Sequence, residues 1–387
     1  MNQLGGLRKC RITVGLGTEP GIIGAVRVVV QKYGGSSVAD LDRLQRVADR
    51  VAATLAAGLR PVVVVSAMGD STNQILALAH QVSDRPDRRE LDMLVSVGER
   101  VTMSLLAMAL RARGVPARSL TGSQSGIVTD EQHADARIVE VRPQRLLAAL
   151  EAGEVPIVAG FQGVSREREV TTLGRGGSDT TAVVLAAALG AEHCEICSDV
   201  DGVWTADPRI VPGARRIAAL SPQHMWELSR AGATVLFEDA VRFAMERGVV
   251  LQASATFRTG EGTRVGPVPP SDSPVGCAVD RLTRVPEGEI GALSRGVRLR
   301  RRSAGWLWLD TRNSHGGDMP GAVSCTVVSL VGGAVGEQGV TITTVDAALS
   351  DAGIGVTHCG SAGEVAWWEV SEAQAGEALG LLHRQVR

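Results

Sequence analysis

Between residues 26 and 202, short β-rich runs alternate with longer stretches of helical spacing. Residues 26–31, 61–66, 155–161 and 194–198 have strand length. Residues 38–57, 90–112, 143–152 and 178–189 carry apolar residues at helical intervals. That alternation predicts an α/β domain with a largely parallel sheet. Two further helical stretches, 222–230 and 238–247, lead into an apolar run at 249–253. Residues 260–274 are dense in glycine and proline and read as a linker. Beyond them the pattern is strand, helix, strand, strand, helix at 324–330, 341–351, 353–357, 365–370 and 372–384, a small α+β unit. No long-period repeat or low-complexity tract interrupts the chain.

A chain of 387 residues has room for two or three domains. Its 44% hydrophobic and 21% charged residues exclude a disordered or fibrous protein. A net charge of -2 argues against nucleic acid or an anionic membrane as a charge-driven partner. No apolar run approaches the ~20 residues of a membrane span. Near the start, Arg8, Lys9 and Arg11 precede a stretch broken by Gly15, Gly17, Glu19 and Pro20, a poor signal peptide. Six cysteines are too sparse for a disulfide framework. Cys194 and Cys197 have CxxC spacing, but a strand would turn them to opposite faces and no second pair follows, so core packing is favoured. A reduced, cytoplasmic protein is expected. The basic run Arg295, Arg298, Arg300, Arg301, Arg302 is either an anion patch or a solvated strand face; without interleaved aromatic residues the second is favoured.

Only Lys9 and Lys32 are lysine among 40 basic residues, so Lys32 draws attention as a site where a planar guanidinium would not fit. It opens Lys32-Tyr33-Gly34-Gly35-Ser36-Ser37, where a strand meets a helix. Adjacent glycines let backbone N–H groups approach a phosphate, and a helix N-terminus adds positive charge. An ordinary turn explains the same residues equally well. A second segment, Thr171 to Thr181, places Arg175 among three glycines before an apolar helix. Ser178 or Asp179 can cap that helix, but capping does not explain Arg175, whose fork suits a carboxylate. In a third segment, Asp199, Asp201, Trp204, Asp207 and Arg209 form either a pair of turns or a purine and phosphate contact. Glu99, at helical spacing from Val95 and Met103, needs a cation or an intramolecular partner. No His, Cys, Asp and Glu set has metal-ligand spacing, and no nucleophile elbow occurs.

Together these segments closely resemble the aspartate kinases of the amino-acid kinase superfamily. The resemblance is carried by Val30-Gln31-Lys32-Tyr33-Gly34-Gly35-Ser36-Ser37-Val38-Ala39, by Asp92-Met93-Leu94 with Gly98-Glu99, by residues 172–179 and by residues 199–216. Matching segments run in matching order from about 26 to 265. The resemblance implies an amino-acid-kinase-like sandwich that phosphorylates the β-carboxylate of L-aspartate, using ATP and Mg²⁺. By position it assigns Lys32, Gly34, Gly35 and Ser36 to phosphate, and Asp179 to organising that site. Ser66, Thr72, Glu99, Arg175 and Ser178 fall to aspartate, and Ser198, Asp199, Trp204 and Arg209 to nucleotide.

The chain departs from the family where Gly232-Ala233-Thr234-Val235-Leu236-Phe237-Glu238 stands for the usual Gly-Ala-Lys-Val-Leu-His-Pro, losing a nucleotide-contacting lysine. The expected organisation is an extension at 1–25, disordered or a mis-called start, then a kinase domain at 26–265. A linker with a degenerate first ACT-like unit (266–322) and an ACT-like regulatory unit (323–387) follow. The usual effector loop Asp-x-Pro-Gly is missing, which implies weakened or altered feedback. Homo-oligomers through the ACT region are expected. Two other readings stay open: a kinase for a related acidic amino acid, such as a substituted aspartate, and a non-catalytic regulatory subunit.

Overall fold

A computed structural model of the chain describes residues 13–14, 27–258, 260–269, 273–289, 297–303, 305–312, 319, 321–333, 335 and 342–386. By compactness the chain divides into two units, Met1–Asp199 and Val200–Arg387.

In the first unit five strands run parallel in the order Cys194–Ser198, Val28–Tyr33, Arg60–Val65, Val155–Ala159, Ala117–Leu120. Val62, Val63, Val64 and Val65 are all fully buried. Successive strand residues point to opposite faces, so both faces of this strand are covered. Helix α1 (Leu41–Ala56) starts where Asp40 accepts the Arg43 N–H at 2.7 Å. It buries Leu44, Val47, Ala48 and Val51, one stripe at helical spacing. α2 (Ser71–Val82) has no fully buried residue. α3 (Arg88–Val95) and α4 (Val97–Arg111) form one 24-residue helical stretch, long and apolar enough by composition to cross a membrane. Its buried face, with Leu106 and Leu110, packs on the sheet as core. α5 (Gln144–Glu151) and α6 (Gly177–Leu189) complete the layer set.

A smaller mixed sheet takes the order Thr13–Val14, Ile138–Val141, Ile127–Thr129, Gln162–Ser165, Val170–Thr172. Within the expected extension at 1–25, Thr13–Val14 pair in parallel with Glu140–Val141; the remainder of that segment lies outside the described residues. The principal strands end together at Tyr33, Val65, Ala159 and Ser198. In open parallel sheets that edge is where ligands bind.

The second unit begins with α7 (Pro222–Arg230) and α8 (Glu238–Arg247). Thr263–Val265 is a strand paired with Leu251–Ala255 and Ala219–Leu220, so part of the expected linker is ordered sheet. An antiparallel sheet of six strands follows in the order Arg298–Ser303, Trp306–Asp310, Pro274–Pro286, Val323–Gly332, Val365–Val370, Val356–Ala362. α9 (Ile342–Asp351) and α10 (Ala375–His383) bury Leu349, Leu379 and Leu382 against Val328, Leu330 and Trp368. The strands at 274–310, expected as a degenerate first unit, join the same sheet as the C-terminal strands.

The basic run is corrected too. Arg298 pairs with Asp239 at 2.6 Å and with Glu238; Arg300 pairs with Glu238 and with Asp310 at 2.6 Å. Arg300 and Arg301 are buried. Among the described residues of the run only Arg302, exposed and facing Glu287, fits a solvated strand face; Arg295 lies outside the described residues. The carboxylates at the start of α8 draw the arginines inward, because a buried guanidinium requires a counter-charge.

Candidate active site

Lys32 lies one residue before the end of the Val28–Tyr33 strand and Asp179 in the first turn of α6. Lys32 Nζ and Asp179 Oδ1 are 2.6 Å apart, with side chains 13% and 11% exposed. The ammonium folds over the glycine turn: a Cβ built on Gly34 would lie 3.4 Å from Nζ. Gly34 N–H donates to Cys197 O (3.3 Å) and Ser37 N–H to Gly34 O (2.9 Å), so the turn is tied to the neighbouring strand. Gly35–Val38 then form a 3₁₀ turn in which Ser36 is exposed and accepts from Arg43. Cys194 and Cys197 are fully buried in that neighbouring strand, as core packing requires.

Glu99 is buried on α4. One oxygen accepts the Ala67 N–H at 3.2 Å, and Oε2 has no hydrogen-bond partner. Burial pushes its carboxyl up to about 7, against the lowering effect of those backbone N–H groups. Glycine precedes it for steric reasons, since a Cβ on Gly98 would stand 2.6 Å from the Ala67 Cβ. Ala67 follows Ser66, whose N–H donates to Tyr33 O (3.1 Å), and Gly69 N–H donates to Gly35 O (3.1 Å). The Glu99 loop and the Lys32 loop are therefore laced together. Thr72, in the first turn of α2, is half-buried beside Ser71, whose hydroxyl is buried without a partner.

Ser178 is buried against the end of the Val155–Ala159 strand, its Oγ 2.9 Å from where a Gly160 Cβ would be. Arg175 is exposed and, among the described residues, has no ion pair or hydrogen bond. It sits between Gly174 and Gly176, at φ +71° and +70°, the left-handed region open to residues without a Cβ. One strand-end edge thus gathers Lys32, Gly34, Gly35, Ser66, Glu99, Ser178 and Asp179. Ser198 and Asp199 close the Cys194–Ser198 strand at the same edge.

Trp204 and Arg209 belong to the second unit. Trp204 Nε1 donates to Asp201 (3.0 Å) and its ring packs on the core beneath α9 and α10. Arg209, 85% exposed, is folded back on Asp207 at 2.6 Å; that guanidinium holds the Asp207 carboxyl below the usual range. Asp92, quoted in the sequence only as part of the resemblance and given no site role, and His133 form a part-buried hydrogen-bonded cluster beside the Arg175 turn. The signal for Asp92 was its place seven residues before Glu99, on the same apolar helical face.

Residues 27–252 match the amino acid kinase family. The chain belongs to that family. This amino acid kinase is 53% identical over 239 residues to an aspartokinase of Mycolicibacterium smegmatis, covering 62% of this chain and 57% of the relative. It is 50% identical over 238 residues to an aspartokinase of Thermus thermophilus, covering 62% and 59%. The chain therefore spans little more than half the length of the curated relatives it matches. Among solved structures, E. coli aspartokinase III in complex with aspartate and ADP aligns with a TM-score of 0.77 at 23% identity, over 93% of this chain and 99% of that one. The aspartate kinase from Synechocystis aligns with a TM-score of 0.58 at 31% identity, over 92% and 68%. The fold of this amino acid kinase is thus that of the aspartokinases, a largely parallel α/β sheet followed by an antiparallel C-terminal sheet.

Proposed function

We propose that this amino acid kinase transfers the γ-phosphoryl group of ATP to the β-carboxylate of L-aspartate, giving 4-phospho-L-aspartate. The observation that carries the reading is the strand-end edge. It holds a lysine over a glycine turn and a buried glutamate with one oxygen unfilled, and the unpaired Arg175 stands four residues before Asp179. A zwitterion with a second carboxylate answers all three demands: its ammonium for Glu99, its α-carboxylate for Arg175, its β-carboxylate toward Lys32. The kinship with aspartokinases points the same way.

A carboxylate is already ionised at neutral pH, so the nucleophile needs no general base. One β-carboxylate oxygen attacks the γ-phosphorus. The new O–P bond forms as the bond to the β,γ-bridging oxygen breaks, and ADP leaves with that electron pair. Lys32 would stabilise the equatorial oxygens as a compact charge, with the N–H groups of Gly35 and Ser36 beside it. Ser66, Thr72 and Ser178 would orient the amino acid. Mg²⁺ bound with the nucleotide would supply further positive charge at the phosphates. Such an ion relies on phosphate oxygens and water with one or two carboxylates. Asp179, paired with Lys32 at 2.6 Å beside the glycine turn, is the carboxylate that would help hold such an ion.

Altered feedback is part of the same proposal, resting on the missing Asp-x-Pro-Gly loop, with the 274–310 strands extending the same sheet as the C-terminal strands. Self-association through this region is proposed on its two edge strands, Arg298–Ser303 and Val356–Ala362. The test is hydroxamate formation from aspartate, ATP, Mg²⁺ and hydroxylamine, run beside 3-substituted aspartates and glutamate. Aspartate is expected to turn over fastest. Preference for a substituted aspartate would replace the substrate, and nucleotide binding without turnover would make the chain a regulatory subunit.

A further inference from the structure

We infer that Asp92 is a positioning residue, one that holds the Arg175 turn at a set distance from Glu99 and so fixes the spacing between the two charges that read the amino acid. The inference rests on the proposed function for its substrate, but its geometry stands apart from it. The Asp92 side chain is 1% exposed. Its Oδ1 accepts from Thr172 Oγ1 (2.5 Å) and from Ala134 N–H (3.0 Å); its Oδ2 lies 2.7 Å from His133 Nδ1 and 3.1 Å from the Ala134 nitrogen. These donors come from two segments 38 residues apart in the chain, and the carboxylate pins both to α3. Ala134 is held at φ +66°, a left-handed conformation that a residue with a Cβ adopts only when its surroundings impose it.

The pinned segments touch each other and the turn. Ala136 N–H donates to Thr172 O at 2.8 Å. A Cβ on Gly174 would stand 2.9 Å from Asp135 Oδ1, so the 130–136 loop abuts the residue before Arg175. Arg175 has no partner of its own among the described residues, which leaves the backbone on either side to determine where its guanidinium goes. Glu99 lies seven residues after Asp92 in the 24-residue helical stretch, two turns on and about 10 Å along the axis. The same stretch therefore carries the glutamate at one point and anchors the arginine's turn at another. Changing Asp92 should alter the spacing without touching the phosphate loop.

The test compares Asp92→Asn with His133→Ala and His133→Asn, measuring KM for aspartate, KM for ATP and kcat. Asparagine at 92 keeps one acceptor oxygen but turns an NH₂ toward donors, whereas asparagine at 133 can restore the lost N–H. Asp92→Asn is expected to raise the aspartate KM tenfold or more with the ATP KM within twofold. His133→Ala should move it in the same direction, and His133→Asn should recover most of the loss. In an Arg175→Ala background, Asp92→Asn should change the aspartate KM by less than twofold, because the group it positions is gone. Full additivity in that background, or equal damage to both substrates, would overturn the inference. Should the wild-type protein turn over no acidic amino acid, the functional reading fails and amide hydrogen exchange decides this one. Asp92→Asn should then accelerate exchange at 130–136 and 172–177 but not at 100–110, and unchanged exchange at the turn would overturn it.

Discussion

Burial raises the Glu99 carboxyl to about 7, and this has two consequences of opposite sense. In the unfolded chain the same group titrates near 4.5, so between about pH 4.5 and 7 the folded state holds a proton that the unfolded state has lost. Stability therefore falls as pH rises through that window and levels off above it, by on the order of 3 kcal/mol in total. Glu99→Gln should be more stable than wild type at pH 8 and close to it at pH 4, measured by urea denaturation. Function runs the other way, because an ammonium is bound by the ionised form. The aspartate KM of the wild type should rise up to tenfold per unit as pH falls below 7, and Glu99→Gln should show a high, flat KM; a wild-type profile equally flat from pH 5.5 to 8 would contradict the assigned role. Glu99 and Lys32 were legible in the sequence because each is chemically out of place, a carboxylate on an apolar stripe and a lysine in an arginine-rich chain. Trp204 stands differently: local composition suggested a purine contact but gave no sign of the apolar surface beneath α9 and α10 on which its half-buried ring also packs. Asp92 and His133 escaped because their partnership spans 41 residues and no local period encodes it.

Elements with strong periodicity were the easy part. The valine-rich strands and α1, α4 and α6 fall where their patterns put them. The strands at Ala117–Leu120, Ile127–Thr129, Ile138–Val141 and Val170–Thr172 are three or four residues long, too short for alternation to register. α2 shows little apolar stripe because no residue of it is fully buried. The arginine run misled for a different reason: charge alone does not say which way a strand faces. Arg298 and Arg300 point at Glu238 and Asp239, at the start of α8, and so fasten the edge strand to that helix. Glu238 stands where the family has proline, and the two arginines account for its charge. Truncating one partner of a buried charge cluster leaves the others uncompensated, which costs about 3–5 kcal/mol. Glu238→Ala should lose stability of that order in denaturant titration. Adding Arg298→Met and Arg300→Met together should return a good part of it, and a loss under 1 kcal/mol would mean the network is screened by water.

At the scale of the whole chain, the replacement of nearly every lysine by arginine gives the molecule an unusual chemical property. Its only side-chain amines are those of Lys9 and Lys32. An amine-directed reagent thus has two side-chain targets in 387 residues, and one of them stands at the proposed phosphate site. Lys32 is 13% exposed and paired with Asp179, so its reaction should be slower than that of an exposed lysine but not blocked. ATP should protect Lys32 if a phosphate takes the ammonium, as proposed. Aspartate alone should protect far less, because its own ammonium and α-carboxylate are read at Glu99 and Arg175. Quantitative labelling with an amine-reactive ester, read by mass spectrometry peptide by peptide, separates the two lysines without mutating either. The expected pattern is a fall of at least fivefold in the Lys32 rate with saturating ATP. Asp179→Asn should raise the rate in the absence of nucleotide, since it removes the ion pair that holds the amine in place. Labelling of Lys32 that ignores ATP would remove the phosphate from this edge of the sheet, and with it the assignment of the glycine turn.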